Sequence, residues 1–327
     1  MYCQHCHGAV NASPITLGEW SAEYLKLIGT RRLVKKTMDG RVRHVRQLEG
    51  LLGGPGRPLS SIRPVDIAQA IRATWDSGKE HTALRLYIEA GEMFSEAINS
   101  GFAYLNPVIH IKRPRPQTRR ARLTLEHYIA IRKRLAREGR QWLIDMMDIA
   151  LVTGQRLADV SKAAHSDVSE DHLLITQQKT GVRLAIPLDI RLAATKQSLR
   201  SVIDRCRRTR PLADLLVSRD NGRPYSKNYV STAFAAARDG ALPRSTWPED
   251  RLPAPFHEIR SLSERLYRDE GYDTKSLLGH KRQSTTDLYN DDRDCSGAAF
   301  KVVRLPGRKA SGPSIIRADP SVPAVLL

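Results

Sequence analysis

Acid is what this sequence is short of. Its 327 residues carry 35 Asp and Glu against 53 Lys and Arg, a formal charge of +18. Such an excess favours a polyanionic partner, because each cation that neutralises a phosphate releases a counterion. The plainer alternative is a basic protein that merely stays soluble. Cysteine is scarce too: Cys3, Cys6, Cys206 and Cys295 are few and scattered, which excludes a disulfide scaffold and fits a reducing cytoplasm. No run approaches the roughly 20 apolar residues of a membrane span, and the N-terminus lacks the apolar core of a signal peptide. Cys3 and Cys6, with His5 and His7, resemble half a zinc site. No second ligand pair follows at usable spacing, so no metal is expected. Residues 1–14 read as a disordered leader.

The length suggests two domains, each with a real core. Residues 15–106 read as a helical domain. Thr16 and Glu19 form a capping box before Leu17, Trp20, Tyr24, Leu25 and Ile28, and Gly29 ends the helix. A second helix over roughly 38–52 puts Val42, Val45, Leu48 and Leu52 on one side and Arg41, Arg43 and Arg46 on the other. Pro64 opens a third helix. A fourth, over roughly 80–99, carries Leu84, Tyr87, Ile88, Phe94 and Ile98. The basic faces are either a DNA surface or solvated charge. Residues 107–122 read as a linker, broken by Pro107, Pro114 and Pro116 and charged by Lys112, Arg113, Arg115, Arg119, Arg120 and Arg122. An extended basic tether of this kind suits a phosphate backbone.

A second domain is expected over 123–295, mainly α with a small β-sheet, an α+β class. Helices are predicted at 124–138 and 141–152, then from Arg156 through Ala158, Val160 and Ala163. Residues 172–188 change period and read as a β-hairpin with Lys179 at its bend. Helices follow at 192–207 and 226–239. The segment from Lys281 to Asp287 reads as a polar loop, and 296–327 as an irregular tail.

Six residues stand out: Arg156, Lys179, His257, Arg260, His280 and Tyr289. Each alone is ordinary, since an exposed lysine at a turn or an arginine at a helix start is common. Together they suit transesterification at a phosphodiester. Attack by a phenolic oxygen creates a five-coordinate phosphorus whose extra negative charge two guanidiniums can clamp. A phenol with a pKa near 10 needs nearby cations to become nucleophilic. The departing 5′ oxygen needs a proton donor, and a lysine on a hairpin tip can supply one. Neither metal nor cofactor is required.

The segments Thr153-Gly154-Gln155-Arg156, Lys179-Thr180-Gly181-Val182, Phe256-His257-Glu258-Ile259-Arg260 and Leu277-Leu278-Gly279-His280, with Tyr289 beyond them, resemble the tyrosine recombinase (phage integrase) family. The likeness extends in layout over 15–295. It implies an N-terminal core-binding domain and a catalytic domain that clamp DNA in a C shape. It also implies roles. Tyr289 would form a 3′-phosphotyrosine, Arg156, Arg260 and His280 would stabilise the transition state, Lys179 would be the general acid, and His257 would assist proton transfer. Homotetramers on two duplexes would exchange strands through a Holliday junction. A host DNA-bending protein and an excisionase are the accessory partners the resemblance implies, in a bacterial cytoplasm. Residues 1–14 are shorter than the arm-type domain that opens lambda-like integrases. A type IB topoisomerase or a non-catalytic DNA-binding regulator are the competing readings.

Overall fold

The computed structural model describes residues 15–117, 119–210, 213–280 and 282–287, together with the strand backbones of 299–301 and 315–317. Tyr289, the tail other than those strands, and the Cys3–His7 cluster lie outside the described residues. The chain divides into two compact units, Met1–Thr118 and Arg119–Leu327. Among the described residues no helix is long and apolar enough to cross a membrane.

The first unit holds α1 (Leu17–Gly29), α2 (Lys35–Leu51), α3 (Pro64–Asp76) and α4 (Glu80–Asn99). The capping box is present: Thr16 Oγ1 accepts from Glu19 N at 3.3 Å, and Thr16 N donates to the Glu19 carboxylate at 2.8 Å. These bonds satisfy backbone groups that the first turn leaves without helical partners. The core gathers Leu17, Trp20, Tyr24, Ile28, Val45 and Leu48 with the inward side of α4. That side differs from the expected stripe. Ala83, Leu86, Ala90, Met93, Phe94 and Ala97 are buried, whereas Ile88 and Ile98 are exposed. Small residues let α4 approach its neighbours closely, so helical spacing outweighs side-chain size.

The basic face of α2 is also narrower than expected. Arg43 and Arg46 are exposed. Arg41 instead turns inward, donating to Glu89 at 3.0 Å and to Tyr24 Oη at 2.6 Å, and pairing with Glu92 at 2.6 Å. Glu89 is buried, and an unpaired carboxylate there would be costly, so Arg41 is committed to the unit's interior. Lys112, Arg113 and Arg115 are exposed.

The second unit is α+β. It contains α5 (Leu125–Arg137), α6 (Gln141–Thr153), α7 (Leu157–Val160), β1 (Val168–Ser169), β2 (His172–Thr176), β3 (Arg183–Pro187), β4 (Arg191–Leu192), β5 (Gln197–Ser198), α8 (Leu199–Thr209), α9 (Lys227–Ala241), α10 (Glu258–Asp269), α11 (Thr274–Leu278) and α12 (Gln283–Asp287), then β6 (Ala299–Lys301) and β7 (Ile315–Arg317). The strands β1, β2 and β3 form an antiparallel sheet in that order, with Leu173 opposite Ile186 and Ile175 opposite Leu184.

α6 is buried over most of its length, from Leu143 to Thr153. It is tied down by Asp148, which accepts from Tyr128, from Arg132 at 3.1 Å, from Arg205 at 2.7 Å and from Gln197 at 3.1 Å. α10 packs against α6, and Tyr267 Oη donates to Val152 O at 2.8 Å. The end of α6 is thereby held where the next residues, Gly154 to Arg156, must project.

Several expectations need correction. The helix after Arg156 stops at Val160, because the backbone beyond it turns to pair elsewhere: Leu216 N donates to Ala163 O and His165 N to Asp214 O. The helix expected from 192 begins at Leu199. The residues before it form the β4–β5 hairpin, and Ser198 caps the helix by accepting from Ser201 N. The expected loop 281–287 contains α12, on which Thr286 is fully buried. Within the expected irregular tail, β6 and β7 pair antiparallel.

Candidate active site

The end of α6 starts the site. Gly154 stops that helix in the left-handed region at φ 65°, a conformation open to glycine without Cβ strain. Gln155 then turns inward, and Arg156 begins α7 half-exposed. Arg260, in the first turn of α10, is 1 % exposed. Its guanidinium donates to Gly154 O at 2.7 Å and Leu278 O at 2.9 Å, and lies 3.0 Å from His280 Nε2. One buried arginine thus joins three segments that are far apart in sequence.

His280 follows Gly279, which ends α11 in the left-handed region at φ 63°. Its Nδ1 lies 2.9 Å from Thr286 Oγ1 on α12. Burial first, and then the charges of Arg260 and Arg156, push its pKa down to about 4. His257 precedes α10 and still reaches solvent at its surface. Crowding by protein comes first for it too, followed by the charges of Arg260, Arg156, Arg120 and Lys179. Together they push its pKa down to about 4. Each cation opposes a further positive charge on the ring.

Lys179 is exposed on the turn between β2 and β3. Five of the six residues singled out from sequence therefore share one electrostatic neighbourhood, and Tyr289 lies outside the described residues. Arg120, expected in a tether, adds its charge to the same place. Its backbone pairs with Leu252 in a parallel bridge. Arg119 is exposed beside it. Arg122, also assigned to the tether, is buried and pairs with Glu258 at 3.1 Å while donating to Ser261 at 3.0 Å. Among the described residues no group of three or more His, Cys, Asp or Glu side chains could hold a metal ion. The site is a cluster of fixed cations and neutral imidazoles, a chemistry suited to a phosphate oxyanion.

Residues 122–295 match the model of the phage integrase family. The chain belongs to that family, the tyrosine site-specific recombinases. The prophage integrase IntE of Escherichia coli strain K12 is 40 % identical over 243 residues, covering 72 % of this chain and 64 % of that protein. The integrase of Escherichia phage HK022 is 34 % identical over 284 residues, covering 86 % of this chain and 77 % of that one. A lambda integrase tetramer bound to a Holliday junction superposes with a TM-score of 0.80 at 30 % identity, covering 87 % of this chain and 80 % of that one.

Three residues beside this site, Gln155, Gln177 and Thr286, carry no mark in the sequence motifs. Gln155 donates from Nε2 to Leu277 O at 2.9 Å. Gln177 is fully buried at the end of β2. Its signal was available: Leu173 and Ile175 set the inward register of β2, and Gln177 continues it with a polar side chain where an apolar one is expected. Thr286 left no such signal, because its helix has no apolar period.

Proposed function

We propose that this integrase cuts and rejoins DNA strands through a covalent 3′-phosphotyrosine at Tyr289. The observation that carries the reading is the convergence of Arg156, Lys179, Arg260 and Arg120 on His257, with Arg260 against His280. Residues 120 to 280 contribute to that one positive site, and a dianionic phosphorane is the species it would stabilise.

The Tyr289 oxygen attacks phosphorus as the bond from phosphorus to the 5′ oxygen breaks. Arg156 and Arg260 hold the non-bridging oxygens, and His280 lies beside them. Lys179 Nζ gives its proton to the 5′ oxygen. His257, neutral in the free protein, takes the phenolic proton. A bound phosphodiester offsets the surrounding cations and makes the ring more basic than it is in the empty site. Reversal by another strand's 5′ hydroxyl restores the phosphodiester, so the bond energy is conserved in the phosphotyrosine.

Lambda integrase is known as a tetramer on a Holliday junction, and we extend that assembly to this chain, acting at a duplex attachment site. A host DNA-bending protein and an excisionase would set direction. The exposed cations Arg43, Arg46, Lys112, Arg113, Arg115, Arg119 and Arg120 would contact phosphates, whereas Arg41 is spent on Glu89.

The test is a nicked attachment-site duplex that loses its short cleaved product and traps the adduct. The wild-type chain should give a covalent band on a denaturing gel, and Tyr289→Phe none, with duplex binding retained. Adduct formation by Tyr289→Phe would refute the assignment.

A further inference from the structure

The side chain of Gln177 has every hydrogen-bonding position in use. Its Nε2 donates to Gln155 Oε1 at 2.8 Å and to Leu278 O at 2.9 Å. Its Oε1 accepts from Arg156 Nη1 at 3.2 Å and from Thr180 Oγ1 at 2.6 Å. An amide offers two donor hydrogens and two acceptor lone pairs, so nothing is left over. The backbone of the same residue closes the turn that carries Lys179: Gln177 N donates to Val182 O and Gly181 N to Gln177 O, each at 2.8 Å. Room for the amide depends on Gly279, where an added Cβ would stand 3.0 Å from Gln177 Nε2 and 3.2 Å from Val182 Cγ1.

We propose that Gln177 is a positioning residue that sets Arg156, the Lys179 turn and the segment before His280 in a single geometry. The inference rests on the recombinase reading above. A methionine of similar length would fill the same space, yet would leave the Thr180 hydroxyl, an Arg156 N–H, Gln155 Oε1 and Leu278 O each without this partner. Shape alone therefore does not account for the residue, and bond direction does. The amide face toward Thr180 ties the general acid's turn, and the same oxygen orients one of the two clamping guanidiniums. The consequence is separable by chemistry. A misplaced Lys179 matters only when the leaving group needs a proton, whereas a misplaced Arg156 matters for any leaving group.

The experiment measures single-turnover cleavage of two nicked duplexes, one with the natural 5′ oxygen and one with sulfur in that bridging position. A thiolate leaves without a proton because a thiol is far more acidic than an alcohol. Thr180→Val, at an exposed turn that the fold tolerates, should slow the oxygen substrate about 10-fold and leave the sulfur substrate within about twofold of wild type. Gln177→Met should slow the oxygen substrate about 100-fold and the sulfur substrate about 10-fold at nearly unchanged duplex binding, with a lowered melting temperature because buried polar groups lose their partner. The inference is overturned if Thr180→Val is slowed equally on both substrates, or reacts with the oxygen substrate at the wild-type rate. Should Gln177→Met fail to fold, Thr180→Val decides alone. If the wild-type chain forms no adduct on either duplex, the recombinase reading falls and takes the inference with it.

Discussion

Arg260 and His280 meet at 3.0 Å, with the guanidinium donating toward Nε2 of a ring whose Nδ1 lies 2.9 Å from Thr286 Oγ1. A guanidinium carries only donors, so Nε2 must present its lone pair, and the ring's proton sits on Nδ1 with Thr286 as its acceptor. A neutral ring in this form agrees with the low pKa of about 4 at His280. Nitrogen-15 shifts of the free protein at neutral pH should report the Nδ1–H form. A dominant Nε2–H form would contradict the arrangement.

Thr286 gives that ring its outer partner from α12, the helix just before Tyr289. Thr286→Val keeps the shape and removes the acceptor. We expect cleavage to slow by about 10-fold at unchanged duplex affinity, since a ring that loses its outer partner no longer holds the Arg260 guanidinium in place. Equal loss of binding and cleavage would argue that Thr286 only supports the fold.

The two histidines of the site, both depressed, also predict a pH dependence. An unfolded histidine takes its proton near 6.5, whereas His257 and His280 do so near 4 in the folded protein. Between those values the unfolded chain binds more protons. The stability that these two groups govern is therefore full above about pH 6.5 and is lost progressively as pH falls toward 4. His257→Gln should flatten the fall in melting temperature across that window relative to wild type. An unchanged slope would show that the cations do not act on His257 as described.

Gly154 is constrained twice. Its φ is 65°, and an added Cβ would stand 2.9 Å from Leu278 Cδ2 and 3.2 Å from Ser263 Oγ. Gly154→Ala should cost about 1–3 kcal/mol of stability and should slow cleavage further by displacing the carbonyl that Arg260 holds. Denaturant unfolding at a wild-type midpoint would refute this.

Arg122 and Glu258 form a buried pair that fastens the start of the second unit to α10. Glu258→Ala would leave the guanidinium buried with its main partner gone. A loss of about 3–5 kcal/mol is expected, measured by urea unfolding. Replacing both residues with apolar ones should recover much of it, and no recovery would point to a role beyond charge pairing.

Helix existence was legible in the sequence wherever a cap and a period agreed, as with Thr16 and Glu19 at the start of α1 and with Pro64 as the first residue of α3. The β2–β3 hairpin was legible from its alternation. Side-chain size misled where small residues formed the contact, as on α4, and two runs of cations hid the inward pairing of Arg41 with Glu89 and of Arg122 with Glu258. The short α12 and the β4–β5 hairpin carry too few apolar residues to announce themselves.

By itself the order of residues determined the helical first unit, the α+β second one and the identity of the charged set. Those are local properties, written in spacing, caps and motif. Only the tertiary structure decided that Arg260 would be buried against Gly154 O and Leu278 O, that Arg41 would serve Glu89, and that Gln177 would join Arg156 to the Lys179 turn. The reason is physical. Desolvation and hydrogen-bond direction depend on groups brought together from distant parts of the chain, and no local pattern records which of them will meet.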